Sequence, residues 1–235
     1  GKSQRQAAST FNISASYVCK LLKTKTSIRC RKRIRIPDRN ANQRRLARSK
    51  CSSLCSKFRN FEFVLDDESY FTLSHQTIDG NGNYYSSNVE GTPANVKYST
   101  KAKYEDKLLV WVAISPKGIC KPYIVERGNA ITMDIYSKQC LEMRLLPFLM
   151  QHHQDTDYVF WPDLASAHYG KDSVNFMRGN NISFVEKPDN PVNLPEVRCI
   201  EDFWSILKGL VYAKGWKAKN TKKLLTPLVL SKKSL

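Results

Sequence analysis

The chain has 235 residues, 41% hydrophobic and 11% aromatic, which is enough for one or two domains with a buried core. Its net charge of +17 is lopsided: residues 1–60 hold 17 of the 38 Lys and Arg and one acid, Asp38, while the remainder carries both signs in nearly equal number. A basic arm on a near-neutral body favours a polyanion, nucleic acid first, and no membrane partner is expected, since the apolar run from Leu108 to Ile114 falls far short of the roughly 20 residues that span a bilayer and no apolar signal region opens the sequence.

In chain order, Gln4 to Phe11 is predicted as a short helix, Asn12 as the left-handed residue of a tight turn, and Ser14 as the N-cap of a second helix, Ala15 to Leu22, packing through Tyr17, Val18, Leu21 and Leu22. Ala8 is small enough to let the helices approach, and branched Val18 fills the space between them. That is the pattern of a helix-turn-helix, which a plain helical hairpin would share. On the first reading the second helix enters a major groove and offers Ala15, Ser16 and Lys20. Arg29, Arg31, Lys32, Arg33 and Arg35 then crowd together before Pro37, an extended run suited to a phosphate backbone, to a minor groove or to nuclear import. A helix from Arg44 to Phe58, with Cys51 and Cys55 one turn apart, closes this basic segment, and the domain boundary is placed near Asn60. The seven cysteines are scattered and form no Cys-x-x-Cys pair or zinc spacing, so they are expected to be reduced and mostly packed, as in an intracellular protein.

The second segment, 61–235, is predicted to open with a strand at Phe61 to Leu65. Hairpin-turn residues follow at Asp79 to Asn83. Strands at 107–114 and 119–126 flank a type I turn, Ser115-Pro116-Lys117-Gly118. A helix from about Met133, capped by Thr132 and bent or ended at Pro147, precedes a strand from Tyr158 to Phe160. A helix over 169–177, a short strand over 182–185, a loop with Pro188, Pro191 and Pro195, and an amphipathic helix from Ile200 complete the order.

Acidic residues punctuate these elements at three places: Asp66-Asp67-Glu68 after the first strand, Asp163 after the strand at 158–160, and Glu201-Asp202 at the start of the amphipathic helix. Singly, each fits a strand end, a turn or a helix first turn. Brought together, the carboxylates would repel one another and resist desolvation unless cations neutralised them, which points to a hard divalent metal such as Mg²⁺ and to phosphoryl transfer. Periodicity leaves open which member of each adjacent pair would face the ion. His168 is read as a packing or hydrogen-bonding residue rather than a ligand, and Trp204, with Ile200, Leu207 and Val211, as a core stripe.

The order strand, hairpin, helix, strand, helix, strand, helix is that of a ribonuclease-H-like α/β fold, a mixed sheet with flanking helices, here preceded by a small all-α helix-turn-helix segment over 1–60. The stretches Leu65-Asp66-Asp67-Glu68-Ser69-Tyr70-Phe71, Trp161-Pro162-Asp163-Leu164-Ala165-Ser166-Ala167-His168-Tyr169, and Asn190-Pro191-Val192-Asn193-Leu194-Pro195 leading to Ile200-Glu201-Asp202-Phe203-Trp204 resemble the mariner superfamily of cut-and-paste DNA transposases. The resemblance implies that Asp67, Asp163 and Glu201 are the catalytic and metal-binding acids, so that Asp66→Asn and Asp202→Asn are expected to retain much of any cleavage activity. It implies two Mg²⁺ ions, with Mn²⁺ as substitute, and DNA strand cleavage and strand transfer into a TA target. DNA would be the partner as element terminal repeats and as target, with Ser16, Lys20, Arg31, Lys32, Arg33 and Arg35 contacting it. A homodimer or larger assembly on DNA and a nuclear location are implied as well. Relatives usually carry two helix-turn-helix units where one is found here, so the resemblance further implies a DNA-binding region extending before Gly1. Cys199 and Val192 replace prolines usual in relatives, and the stretch 224–231 departs from the expected basic helix. These departures leave a second reading, a catalytically inactive, transposase-derived DNA-binding protein.

Overall fold

The structure, a computed structural model, describes residues 4–26, 36–73, 86–98, 106–125, 130–192, 194–213 and 216–230, less the side chains of 95 and 227–230. It divides into two compact units, Gly1–Ile36 and Pro37–Leu235. In the first, α1 (Gln4–Thr10) and α2 (Ala15–Lys25) are joined by a turn in which Asn12 takes φ 50°, the left-handed conformation expected of it. Ser14 caps α2 by accepting the Tyr17 N–H at 3.1 Å, and Ala8 and Val18 are buried as anticipated. Tyr17, predicted to pack, is instead half exposed at 50%.

In the second unit α3 (Ala41–Lys57) is capped by Asn40 and Gln43 in a reciprocal capping box. Its buried residues Leu54 and Phe58, the latter just past its end, join the core under the sheet, and Phe58 meets Phe61 and Phe63 edge-on. The division into compact units falls at residues 36–37, before α3, and this helix carries charge on its basic face while its narrow apolar face packs on the sheet.

The sheet is mixed. β1 (Glu62–Thr72) is central, antiparallel to β2 (Lys107–Ser115) and parallel to β5 (Tyr158–Trp161); β3 (Gly118–Ile119) and β4 (Tyr123–Val125) both pair with β2. Here β1 runs well past Leu65, so Asp66, Asp67 and Glu68 lie in mid-strand, opposite Ala113, Val112 and Trp111. Apolar on both faces, β2 is buried from Leu108 through Ala113. Gly118, at φ 133°, closes its hairpin in a backbone region that side-chain-bearing residues rarely adopt. The predicted strand 182–185 is reduced to a bridge, Phe160 to Phe184. The expected hairpin-turn residues 79–83 lie outside the described residues.

A short α4 (Ala94–Lys97) precedes β2 in the chain. Flanking the sheet is a continuous helical run: α5 (Met133–Ile135), capped by Thr132, wide π turns over Tyr136–Leu145, and α6 (Leu146–His152). Pro147 neither ends nor breaks it, and stands where the wide π turns give way to α6. α7 (Lys171–Gly179) and α8 (Cys199–Val211) follow, then α9 (Thr221–Leu230). Ile200, Trp204, Leu207 and Val211 form the buried stripe of α8, at helical spacing. No helix among the described residues is long and apolar enough to cross a membrane.

Candidate active site

Strand alternation decides the fates of the two central aspartates. Asp66 points into the core and is wholly buried; its Oδ2 accepts the Trp111 indole N–H at 3.1 Å and the Tyr136 hydroxyl at 2.7 Å, and its Oδ1 accepts the Asp163 backbone N–H at 3.2 Å. Asp67 points the other way, into a cavity of about 280 Å³ that it lines together with Asp163 and Glu201. Three chain segments thus deliver one carboxylate each: mid-β1, the turn after β5, and the first turn of α8. Asp202, exposed, does not line the cavity.

The environment of Asp67 disfavours its charge. Burial, with the neighbouring charges of Glu201 and Glu68 adding to it, pushes its carboxyl up to about 7, against hydrogen bonds from the Glu68 backbone and from the Trp204 indole at 2.9 Å. A cation in the cavity would relieve this cost. All three groups are hard oxygen donors suited to Mg²⁺ or Mn²⁺, so the donor chemistry fits such an ion. As they stand, no three His, Cys, Asp or Glu side chains among the described residues converge closely enough to hold one. Glu201 lines the cavity but is itself exposed.

Sequence reasoning missed three residues around these acids. His168 is buried; its Nδ1 lies 3.0 Å from the Asp163 carbonyl oxygen and its Nε2 lies 3.2 Å from Glu68 Oε1, with the ring stacked on Tyr136. The Asp163 carbonyl only accepts, so Nδ1 donates to it; with Glu68 ionised, Nε2 donates as well and the ring is an imidazolium. Burial alone would lower its pKa, but the Asp66 charge and the bond to Glu68 outweigh burial and hold it at about 9. Asn190 accepts the Trp161 indole N–H at 2.7 Å and donates to the Pro162 carbonyl at 2.9 Å. Arg198 completes the surround, lining the cavity beside the carboxylates. Apart from the His168 bond to the nearby Asp163 carbonyl, the partners of these groups are distant in sequence, and no local pattern marks the pairing.

Of the residues predicted to contact DNA, Ser16 and Lys20 are exposed on α2, while Arg31, Lys32, Arg33 and Arg35 lie outside the described residues.

A mixed sheet flanked by helices, with this strand order, is a ribonuclease-H-like α/β fold, as the element order predicted. Solved structures of the Mos1 mariner transposase share it. The Mos1 paired-end complex with left transposon end matches at TM-score 0.68 and 16% identity, covering 100% of this chain and 68% of that one. The Mos1 mariner paired end complex with Mn matches at TM-score 0.69 and 15% identity, with 100% and 68% covered. The catalytic domain of Mos1 mariner transposase matches at TM-score 0.60 and 12% identity, with 86% of each chain covered. No family model and no curated protein matches the sequence.

Proposed function

We propose that this chain is a mariner-type DNA transposase that cleaves DNA strands at the ends of its element and transfers them to a target. The observation that carries this reading is the meeting of Asp67, Asp163 and Glu201, far apart in sequence, on one cavity of a ribonuclease-H-like fold. The likeness to Mos1 structures that include transposon-end, Mn and Mg complexes supports DNA as partner and a divalent metal as cofactor. Asp67, Asp163 and Glu201 would hold two Mg²⁺ ions, or Mn²⁺ in their place, and bound metal supplies Lewis-acid stabilisation of the charge on the attacking and departing phosphodiester oxygens.

The chain's own groups hold the carboxylates in place. Trp204 donates to Asp67, while Asp66 and His168 grip the N–H and C=O of the Asp163 residue from either side. The basic segment binds the terminal repeats, with Ser16 and Lys20 offered from α2 to a groove and Arg31, Lys32, Arg33 and Arg35 along the backbone. A TA target, assembly as a homodimer or larger on DNA, and a nuclear location belong to the same reading.

The test is cleavage of end-labelled DNA carrying the element's terminal repeats, with Mg²⁺ or Mn²⁺. Asp67→Asn, Asp163→Asn and Glu201→Gln are each expected to abolish cleavage and spare DNA binding, and pairs of these changes should do no more than one, because the acids act as a unit. A wild-type chain that binds the repeats but cuts with neither metal would establish the other reading, a transposase-derived DNA-binding protein without catalysis.

A further inference from the structure

We propose that Arg198 is a positioning residue that fixes the spacing of the three cavity carboxylates. It stands immediately before α8. Its Nη2 donates to the backbone carbonyl of Asp66, and its Nη1 lies 3.3 Å from the carbonyl oxygens of both Trp161 and Pro162. Those carbonyls belong to the residues leading into two of the acids: Asp66 precedes Asp67, and Trp161 and Pro162 precede Asp163. The Arg198 carbonyl in turn accepts the N–H of Glu201 at 3.1 Å, in the first turn of the helix that carries the third. One residue therefore ties together mid-β1, the end of β5 and the start of α8, the three segments that bring carboxylates to the cavity.

The chemistry of the side chain suits this task. A guanidinium presents a rigid planar fork of donors that can serve carbonyls on two strands at once, whereas an ammonium is a point charge on a flexible stem. Here the fork also lies over the Trp161 ring, 5.5 Å from its centroid, and Asn190 braces the same corner by donating to the Pro162 carbonyl. Each of these bonds is charge-assisted on the arginine side, and the positive charge stands beside carboxylates whose mutual repulsion opposes their approach. Orienting groups of this kind typically set metal affinity by 10- to 100-fold without touching the ion.

The inference rests on the metal-binding reading of the cavity, and the experiment separates the two. Mn²⁺ binding to the full chain without DNA is followed by electron paramagnetic resonance, alongside terminal-repeat cleavage over a range of Mn²⁺ concentrations and thermal unfolding in EDTA, for wild type, Arg198→Lys and Arg198→Gln. Both variants are expected to bind Mn²⁺ about 10- to 100-fold more weakly. Both should need correspondingly more Mn²⁺ for half-maximal cleavage, while still unfolding cooperatively and binding DNA. Lys retains the charge and most of the packing, so it decides the matter if the Gln variant does not fold. Arg198→Lys within twofold of wild type in affinity would overturn the fork, leaving charge alone as the contribution. A wild-type chain that binds no Mn²⁺ would overturn the metal reading and, with it, the purpose assigned to Arg198.

Discussion

Asp66 and Asp67 are adjacent in sequence and opposite in use. Asp66 offers two acceptor oxygens to three donors in a site closed to water. An amide there keeps one acceptor and adds a donor, and although the Tyr136 hydroxyl can reverse to accept, either Trp111 or the Asp163 N–H is left facing an NH₂ group. Asp66→Asn is accordingly expected to cost about 1–3 kcal/mol in urea unfolding, and to weaken cleavage through a displaced Asp163. The buried network around Asp66 was not legible in the sequence, because polarity alone does not distinguish a buried hub from a solvated strand residue. His168 completes the hub as a cation, and its pKa is raised from 6.5 to about 9. The folded state then holds its proton more tightly than the unfolded one. Its contribution to stability is full below pH 6.5 and is lost as pH rises through about 9. Thermal midpoints measured from pH 6 to 9.5 should fall more steeply in the wild type than in His168→Gln, and parallel curves would remove the imidazolium assignment.

At the scale of elements, α3 tests where the folded body begins. Leu54 and Phe58 are 3% and 8% exposed and belong to the core shared with β1 and β5. A fragment spanning 37–235 is expected to be soluble and to unfold cooperatively, whereas 61–235 leaves the apolar sheet face under α3 open. Losing two large buried side chains costs several kcal/mol, comparable to the whole stability of an ordinary domain. Circular dichroism melting of the two fragments checks this, and equal stability would return the boundary to residue 60. The same helix shows what was legible in the sequence. The run at 107–114 announced a strand because it is apolar on both faces, and the stripe of α8 announced a helix because four residues repeat at its period. Mid-β1 hid its strand behind Asp-Asp-Glu-Ser, residues that suit strands poorly and are held there by pairing with β2. The three cavity acids were legible from their motifs. The roles of Arg198, Asn190 and His168 were not, because most of their bonds are to residues brought near only by the fold.

For the whole molecule, positive charge is concentrated toward the start of the chain and runs past the boundary of the first compact unit into α3. Residues 1–36 carry ten Lys and Arg and no acid, while every carboxylate of the cavity belongs to the other unit. The first unit therefore supplies attraction to a polyanion, together with the seven Lys and Arg of 37–60, while the cavity carboxylates contribute none. DNA binding by the full chain in EDTA should then be carried by the basic segment and be steeply dependent on salt. With about 6 phosphates neutralised, affinity should fall around 10³-fold between 50 and 200 mM salt. Replacing Arg31, Lys32 and Arg33 together by Ala should flatten the slope of log affinity against log salt by about 3, near one unit for each phosphate no longer neutralised. Asp67→Asn, which removes charge only from the cavity, should leave that slope unchanged. Fluorescence anisotropy with a labelled terminal-repeat duplex measures both slopes. A triple variant with the wild-type slope would place the Arg31-Lys32-Arg33 run in solvent and leave phosphate binding to the helices.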